Sequence, residues 1–235
     1  MSEKFYRELN QPIVSAGAEK EMESASGGSI GAVHGKGAHG VSALDYLERT
    51  ALDAQISSDK IRAISSRTDN HASYPQSQLA VSLKLVARLI GGGLPTRIYY
   101  VSQGGYDTHV NQAPTQERLL KELGDSVKAF VDDLKAQGNL SRVVLMTFSE
   151  FGRRLAENAN NGTDHGAAGQ MFLVGEKLKA GLLGKYPSLA PEDLSMGDPR
   201  FTVDFRSVYA GVLEHWLRTP SLPILGKKIE PLAFI

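Results

Sequence analysis

Four side chains able to hold a cation fall in two short pairs. Asp107 and His109 lie two apart in Gly104-Gly-Tyr-Asp-Thr-His109, and Asp164 and His165 are adjacent in Gly162-Thr-Asp-His-Gly166. A hard carboxylate joined to an imidazole suits zinc, manganese or iron, whereas calcium prefers sites built almost wholly of oxygen. On extended backbone, residues two apart project to the same side, so Asp107 and His109 can address one ion. Each pair alone fits equally well a polar loop whose carboxylate caps backbone and whose histidine is hydrogen-bonded. It is their recurrence that points to a divalent metal, zinc or manganese foremost.

Glu150 sits between the pairs in Phe148-Ser-Glu-Phe-Gly-Arg-Arg154, where it reads as a metal ligand or a general base, or as the partner of a neighbouring arginine. Arg153 and Arg154 suit a fork around an anionic substrate oxygen, and equally suit surface charge. His71 and His215 read as structural. No Gly-x-Ser-x-Gly elbow occurs, so a serine-hydrolase triad has weak support.

The elements that would position these groups follow from hydrophobic spacing. Ile98-Tyr-Tyr-Val101 and Val143-Val-Leu-Met146 are short apolar runs of the kind that form buried strands. Between them, Leu119, Leu123, Val127, Phe130 and Leu134 recur at three and four residues, an amphipathic helix that Gly138 ends. Strand, helical crossover, strand predicts two parallel neighbours joined right-handedly, with both ligand-bearing loops at one edge of the sheet. In such sheets chemistry collects beyond the carboxyl ends of the strands. The expected class is therefore α/β, a partial doubly wound parallel sheet with flanking helices.

Upstream, Ser42 can cap a helix carrying Leu44, Leu47, Leu52 and Ile56, and a second helix is expected from about Gln76 to the stop at Gly91-Gly92-Gly93. Downstream, a helix is expected from near Asp204, with Pro220 and Pro223 closing it. Residues 1–41 crowd glycine and serine and read as a flexible segment, leaving 42–235 as the α/β domain. Gly31-Ala-Val-His-Gly-Lys36 lacks the spacing of a phosphate-binding loop, and no strand precedes it.

Composition narrows the partners. Twenty-six basic residues balance 26 acidic ones, which gives no electrostatic pull toward nucleic acid. No apolar run is long enough to insert in a membrane, and residues 1–11 lack the apolar core of a secretory signal. With no cysteine, thiolate zinc sites, disulfides and cysteine nucleophiles are excluded.

Four ordered motifs carry a family resemblance across residues 43–232. Tyr99-Tyr-Val-Ser-Gln-Gly-Gly-Tyr-Asp-Thr-His109, Phe148-Ser-Glu-Phe-Gly-Arg-Arg154, Gly162-Thr-Asp-His-Gly166 and Asp204-Phe-Arg-Ser-Val-Tyr209 resemble the bacterial domain-of-unknown-function family 1501. That family is in turn similar to the alkaline phosphatase/sulfatase superfamily. The resemblance implies metal ions at strand ends and hydrolysis of small anionic phosphate or sulfate esters. It also implies a ligand set. Asp107 and His109 resemble the superfamily's Asp-x-x-x-His pair, with one intervening residue in place of three. Asp164-His165 resembles its Asp-His pair by letter, whereas by order Glu150 stands there and His165 matches a later lone histidine. Both registers keep Asp107, His109 and His165 near metal. Superfamily members carry the nucleophile on an early strand that the first 41 residues do not provide. The chain is thus expected to resemble the fold's carboxyl-terminal half, without the amino-terminal strands, and to self-associate or to join a missing amino-terminal half. Longer family members often resemble exported proteins.

Overall fold

The computed structural model describes residues 43–235, so the expected flexible segment 1–41 lies outside the described residues. The chain divides into two units, residues 1–54 and 55–235. Of the first, residues 43–54 are described; they are helical, with Leu44, Leu47 and Leu52 exposed, and they open helix α1 (Ala43–Arg67).

The second unit is built on a helix pair. Helix α2 (Gln78–Gly91) starts at Ser77, whose hydroxyl accepts the Ala80 amide at 3.1 Å and satisfies one of the helix's orphan donors. Its start two residues later than the apolar spacing suggests follows from this cap. Helix α3 (Gln112–Ala136) is the expected amphipathic segment, and it stops where Gly138 takes a φ of +70° that disfavours side chains. Leu79, Leu83, Ala87 and Ile90 of α2 meet Phe130 and Leu134 of α3 in the buried core. Fully burying a side chain of leucine or phenylalanine size is worth about 1.5–3 kcal/mol. Truncating Leu134, which is fully buried, would therefore cost about 2–5 kcal/mol once the cavity is counted.

A buried charge ties the segment before α2 to α3. Asp133 accepts from the His71 amide (2.8 Å), Asn70 Nδ2 (2.7 Å), the Tyr74 hydroxyl (2.9 Å) and Gln137 Nε2 (3.0 Å). Burial pushes its carboxyl up, yet these donors together outweigh burial and hold it below the usual carboxylate value. His71 thus has a structural role through its backbone.

The strands are few and short. Strand β1 (Leu145–Met146) pairs antiparallel with β4 (Leu173–Val174), and β2 (Gly152–Glu157) pairs antiparallel with β3 (Thr163–Gly166). The class is therefore mixed α/β, but the expected parallel pairing of 98–101 with 143–146 does not form: among the described residues every paired strand is antiparallel. The physical reason lies in burial. Tyr99 and Val101 pack on the helical core beside Val143 and Leu145, while Ile98 and Tyr100 on the other face are about 60% exposed. Parallel ladders are characteristic of sheets covered on both faces, and here only one face is covered.

Helix α4 (Phe205–Gly211) is capped by Asp204, whose Oδ1 accepts the Arg206 amide at 2.9 Å, and it runs into a π-helical turn at Val212–Trp216. His215 belongs to that turn. No helix among the described residues is long and apolar enough to cross a membrane.

Candidate metal centre

The chain reaches the candidate ligands by two routes that are stitched together by backbone. The first is the loop between the extended segment 98–101 and α3, which carries Asp107 and His109. The second is the β2–β3 ribbon, in which Arg153 stands opposite His165. A five-residue loop, 158–162, joins the two strands; Asn161 adopts φ +54° in it, and the Asn158 amide closes it by donating to Gly162 O at 2.8 Å. The turn's carbonyls receive the first loop: the Asn111 amide donates to Asn160 O and the Gln112 amide to Asn161 O, both at 2.9 Å. Asn158 Nδ2 donates to His109 O at 3.0 Å, and the side-chain Oδ1 of Asn158 accepts the Asn160 and Gly162 amides.

Arg153 completes the stitching. Its guanidinium donates to Tyr106 O (2.5 Å) and Thr108 Oγ1 (3.2 Å) on one loop and to Thr163 O on the other. A planar fork with several donors suits this bridging, and with them directed at the protein Arg153 acts here as a tie between the loops. Arg154 pairs with Asp198 through Nε at 3.1 Å and is half-exposed. Glu150 is exposed at the approach to β2 and makes no side-chain hydrogen bond or ion pair among the described residues.

At the centre of this assembly, two imidazoles 56 positions apart meet with ring centroids 4.8 Å apart. Asp107 Oδ1, His109 Nε2 and His165 Nε2 form a triangle with edges of 3.0, 2.8 and 3.2 Å. Phe151 stacks on the His165 ring at 3.7 Å and 8°, which fixes the ring's plane. All three side chains are partly open to solvent, so small ions and ligands have access.

These donors fit a cation. A tetrahedral ion with bonds of about 2.0–2.1 Å to nitrogen and oxygen has ligand-to-ligand edges of about 3.3 Å, close to those of the triangle. Among the described residues, Asp107, His109 and His165 are the group that could hold it. Asp164, expected from sequence as a further ligand, sits elsewhere: its Oδ1 lies 3.1 Å from His109 Nδ1, on the side of the ring away from the triangle. Adjacent residues of a strand project to opposite faces, so Asp164 and His165 reach opposite edges of the same imidazole. The two carboxylates are both held below their ordinary pKa, Asp107 chiefly by its hydrogen bond with His165 and Asp164 by its bonds with His109 and then Asn158.

Three residues of this assembly carry no obvious ligand chemistry and escape a search for it: Asn158, Phe151 and Gly162. The polar run Asn158-Ala-Asn-Asn-Gly162, five residues containing glycine between two short segments, is the signal that could have revealed the ribbon.

No curated protein and no solved structure gives a significant match to the chain. A family model does. It is described as a protein of unknown function (DUF1501) and matches residues 18–218, which include both loops and the ribbon, and the chain belongs to that family.

Proposed function

We propose that this chain is a metal-dependent hydrolase-like domain that takes a small phosphate or sulfate ester. The observation that carries the reading is the triangle of Asp107 Oδ1, His109 Nε2 and His165 Nε2, three donor atoms from two distant segments with edges near 3 Å. Asp107, His109 and His165 would hold a zinc or manganese ion. A bound ion of this kind polarises an ester oxygen and lowers the pKa of water. Arg154, half-exposed and close enough for its charge to favour ionised Asp164, would meet the substrate anion. Arg153 would serve the site by holding its two loops together. Glu150, exposed and unengaged among the described residues, would act as general base or further ligand. The likeness of the family motifs to the alkaline phosphatase/sulfatase superfamily supports the ester class.

The test is elemental analysis of the purified chain, followed by turnover of nitrophenyl phosphate and nitrophenyl sulfate with zinc or manganese. Stoichiometric metal that falls in His165→Ala supports the reading. Metal content unchanged by that substitution overturns the site, and bound metal without turnover overturns the hydrolase.

A second reading, a non-catalytic binding or assembly module, is favoured by one observation: Ile98 and Tyr100 present an exposed apolar face beside a packed one. It predicts self-association in sedimentation together with no turnover of either ester. A monomer at all concentrations counts against it.

A further inference from the structure

We propose that Asp164 is a positioning residue that fixes the tautomer of His109 and aims its Nε2 lone pair at the cation. The inference rests on the metal reading of the Asp107–His109–His165 triangle and assigns Asp164 a role outside the ligand set.

The geometry of His109 is two-sided. Its Nδ1 lies 3.1 Å from Asp164 Oδ1, and its Nε2 lies 3.0 Å from Asp107 Oδ1 and 3.2 Å from His165 Nε2. An ionised carboxylate can only accept hydrogen bonds, so the Nδ1 of His109 carries the proton that points at Asp164. The ring's Nε2 faces the triangle, where a seated cation would take the Nε2 lone pair in place of the contact with Asp107 Oδ1 and leave the Nδ1–H on Asp164. Imidazoles that bind metal through one nitrogen commonly donate the other N–H to a carboxylate, which orients the ring and raises its basicity.

Asp164 is itself held. Asn158 Nδ2 lies 3.4 Å from the same Oδ1 while donating to His109 O at 3.0 Å, so one amide spans the carboxylate and the backbone of the histidine it serves. The ring, its carboxylate and its own main chain thus form a closed circuit across the two loops. A carboxylate that merely decorated the surface would have no reason to share a donor with the residue it contacts.

The experiment compares wild type, Asp164→Asn, Asp164→Ala and His165→Ala, each as the full chain. Zinc affinity is measured by competition with a chromogenic chelator. The His109 tautomer, and with it the nitrogen that binds, is read in zinc-loaded protein by long-range 1H–15N NMR, and the ligand set by the visible spectrum of the cobalt-loaded protein. His109 is expected as the Nδ1–H tautomer in wild type, and this preference should be lost in Asp164→Ala with a weakening of zinc binding of about 10- to 100-fold. Asp164→Asn, which can still accept from Nδ1–H, should recover the tautomer and most of the affinity, with an unchanged cobalt spectrum. Asp164→Ala that keeps wild-type affinity or tautomer overturns the proposal while leaving the metal reading intact. A cobalt spectrum altered in Asp164→Asn also overturns it, because Asp164 would then be a ligand. A wild type that takes up no zinc brings down the metal reading and this proposal with it.

Discussion

Gly162 is pressed against the carbonyl of His109 so closely that a methyl group on its Cα would lie 2.3 Å from both the carbonyl carbon and oxygen. The obstructing atoms are backbone, which cannot rotate away as a side chain can. Gly162→Ala should therefore part the ribbon's turn from the Asp107–His109 loop. The expected result is a loss of about 1–3 kcal/mol in urea unfolding, accompanied by lower metal content. A variant with wild-type stability and metal content would show that the two loops do not depend on this contact.

Arg153→Lys tests the tie between the loops. A lysine keeps the charge but cannot present a planar fork to Tyr106 O, Thr108 Oγ1 and Thr163 O together. Metal affinity should fall several-fold, with amide exchange at residues 106–111 and 158–163 accelerating together. Exchange that speeds in one loop alone would argue against a shared clamp.

Asp133→Ala removes the acceptor shared by Asn70, His71, Tyr74 and Gln137 and strands those donors in the interior. The expected cost in denaturant unfolding is about 1–3 kcal/mol for each donor left unsatisfied. The pH dependence follows from the sign of the shift. The folded carboxyl titrates below its unfolded counterpart, so its contribution is fully present above the unfolded value of about 3.9 and is lost as pH falls through the lower folded value. In Asp133→Asn the acid limb of the stability profile should be flatter between those limits. An identical acid limb would remove Asp133 from the account.

Asp204 offers a second, milder acid-sensitive point. Its carboxyl is lowered to about 2, first by the side-chain hydrogen bond from Arg206 and further by the Arg206 amide. Its cap on α4 should thus persist from neutral pH down through about 4 and be lost only as pH approaches 2. Asp204→Ala should cost about 1 kcal/mol at neutral pH, as an N-cap does, with Asp204→Ser recovering most of it in thermal unfolding. Failure of serine to restore stability would assign the effect to the Arg206 pair.

Much of this was legible in the residues themselves. The amphipathic spacing of Leu119–Leu134 and the stop at Gly138 mark α3, and α4 begins beside Asp204 as expected, whereas the Ser77 cap escaped a reading that began the second helix at Gln76. The two Asp/His pairs were found by chemistry and spacing alone, and His109 and His165 do meet. The mode of meeting was not legible. Apolar runs at 98–101 and 143–146 carry no information on which backbone each will pair with, and the actual partner of β1 lies near residue 173, beyond the ribbon. Arg153 and Arg154 look alike in sequence. Their fates diverge because alternation along β2 turns one toward Tyr106 and Thr163 and the other toward Asp198. The same holds for Asp164 and His165, since adjacency in sequence says nothing about which edge of the His109 ring each neighbour will reach.

The triangle draws its corners from segments 56 positions apart, so a cation seated there fastens a long loop of chain. Its binding energy would be available only to the folded molecule, and melting temperatures measured in chelator and in zinc would then differ. At 100 times the dissociation constant the difference is about 2.7 kcal/mol, a sizeable fraction of what holds a small domain folded. The ion would be a clasp, and depletion of metal would loosen the two loops from each other.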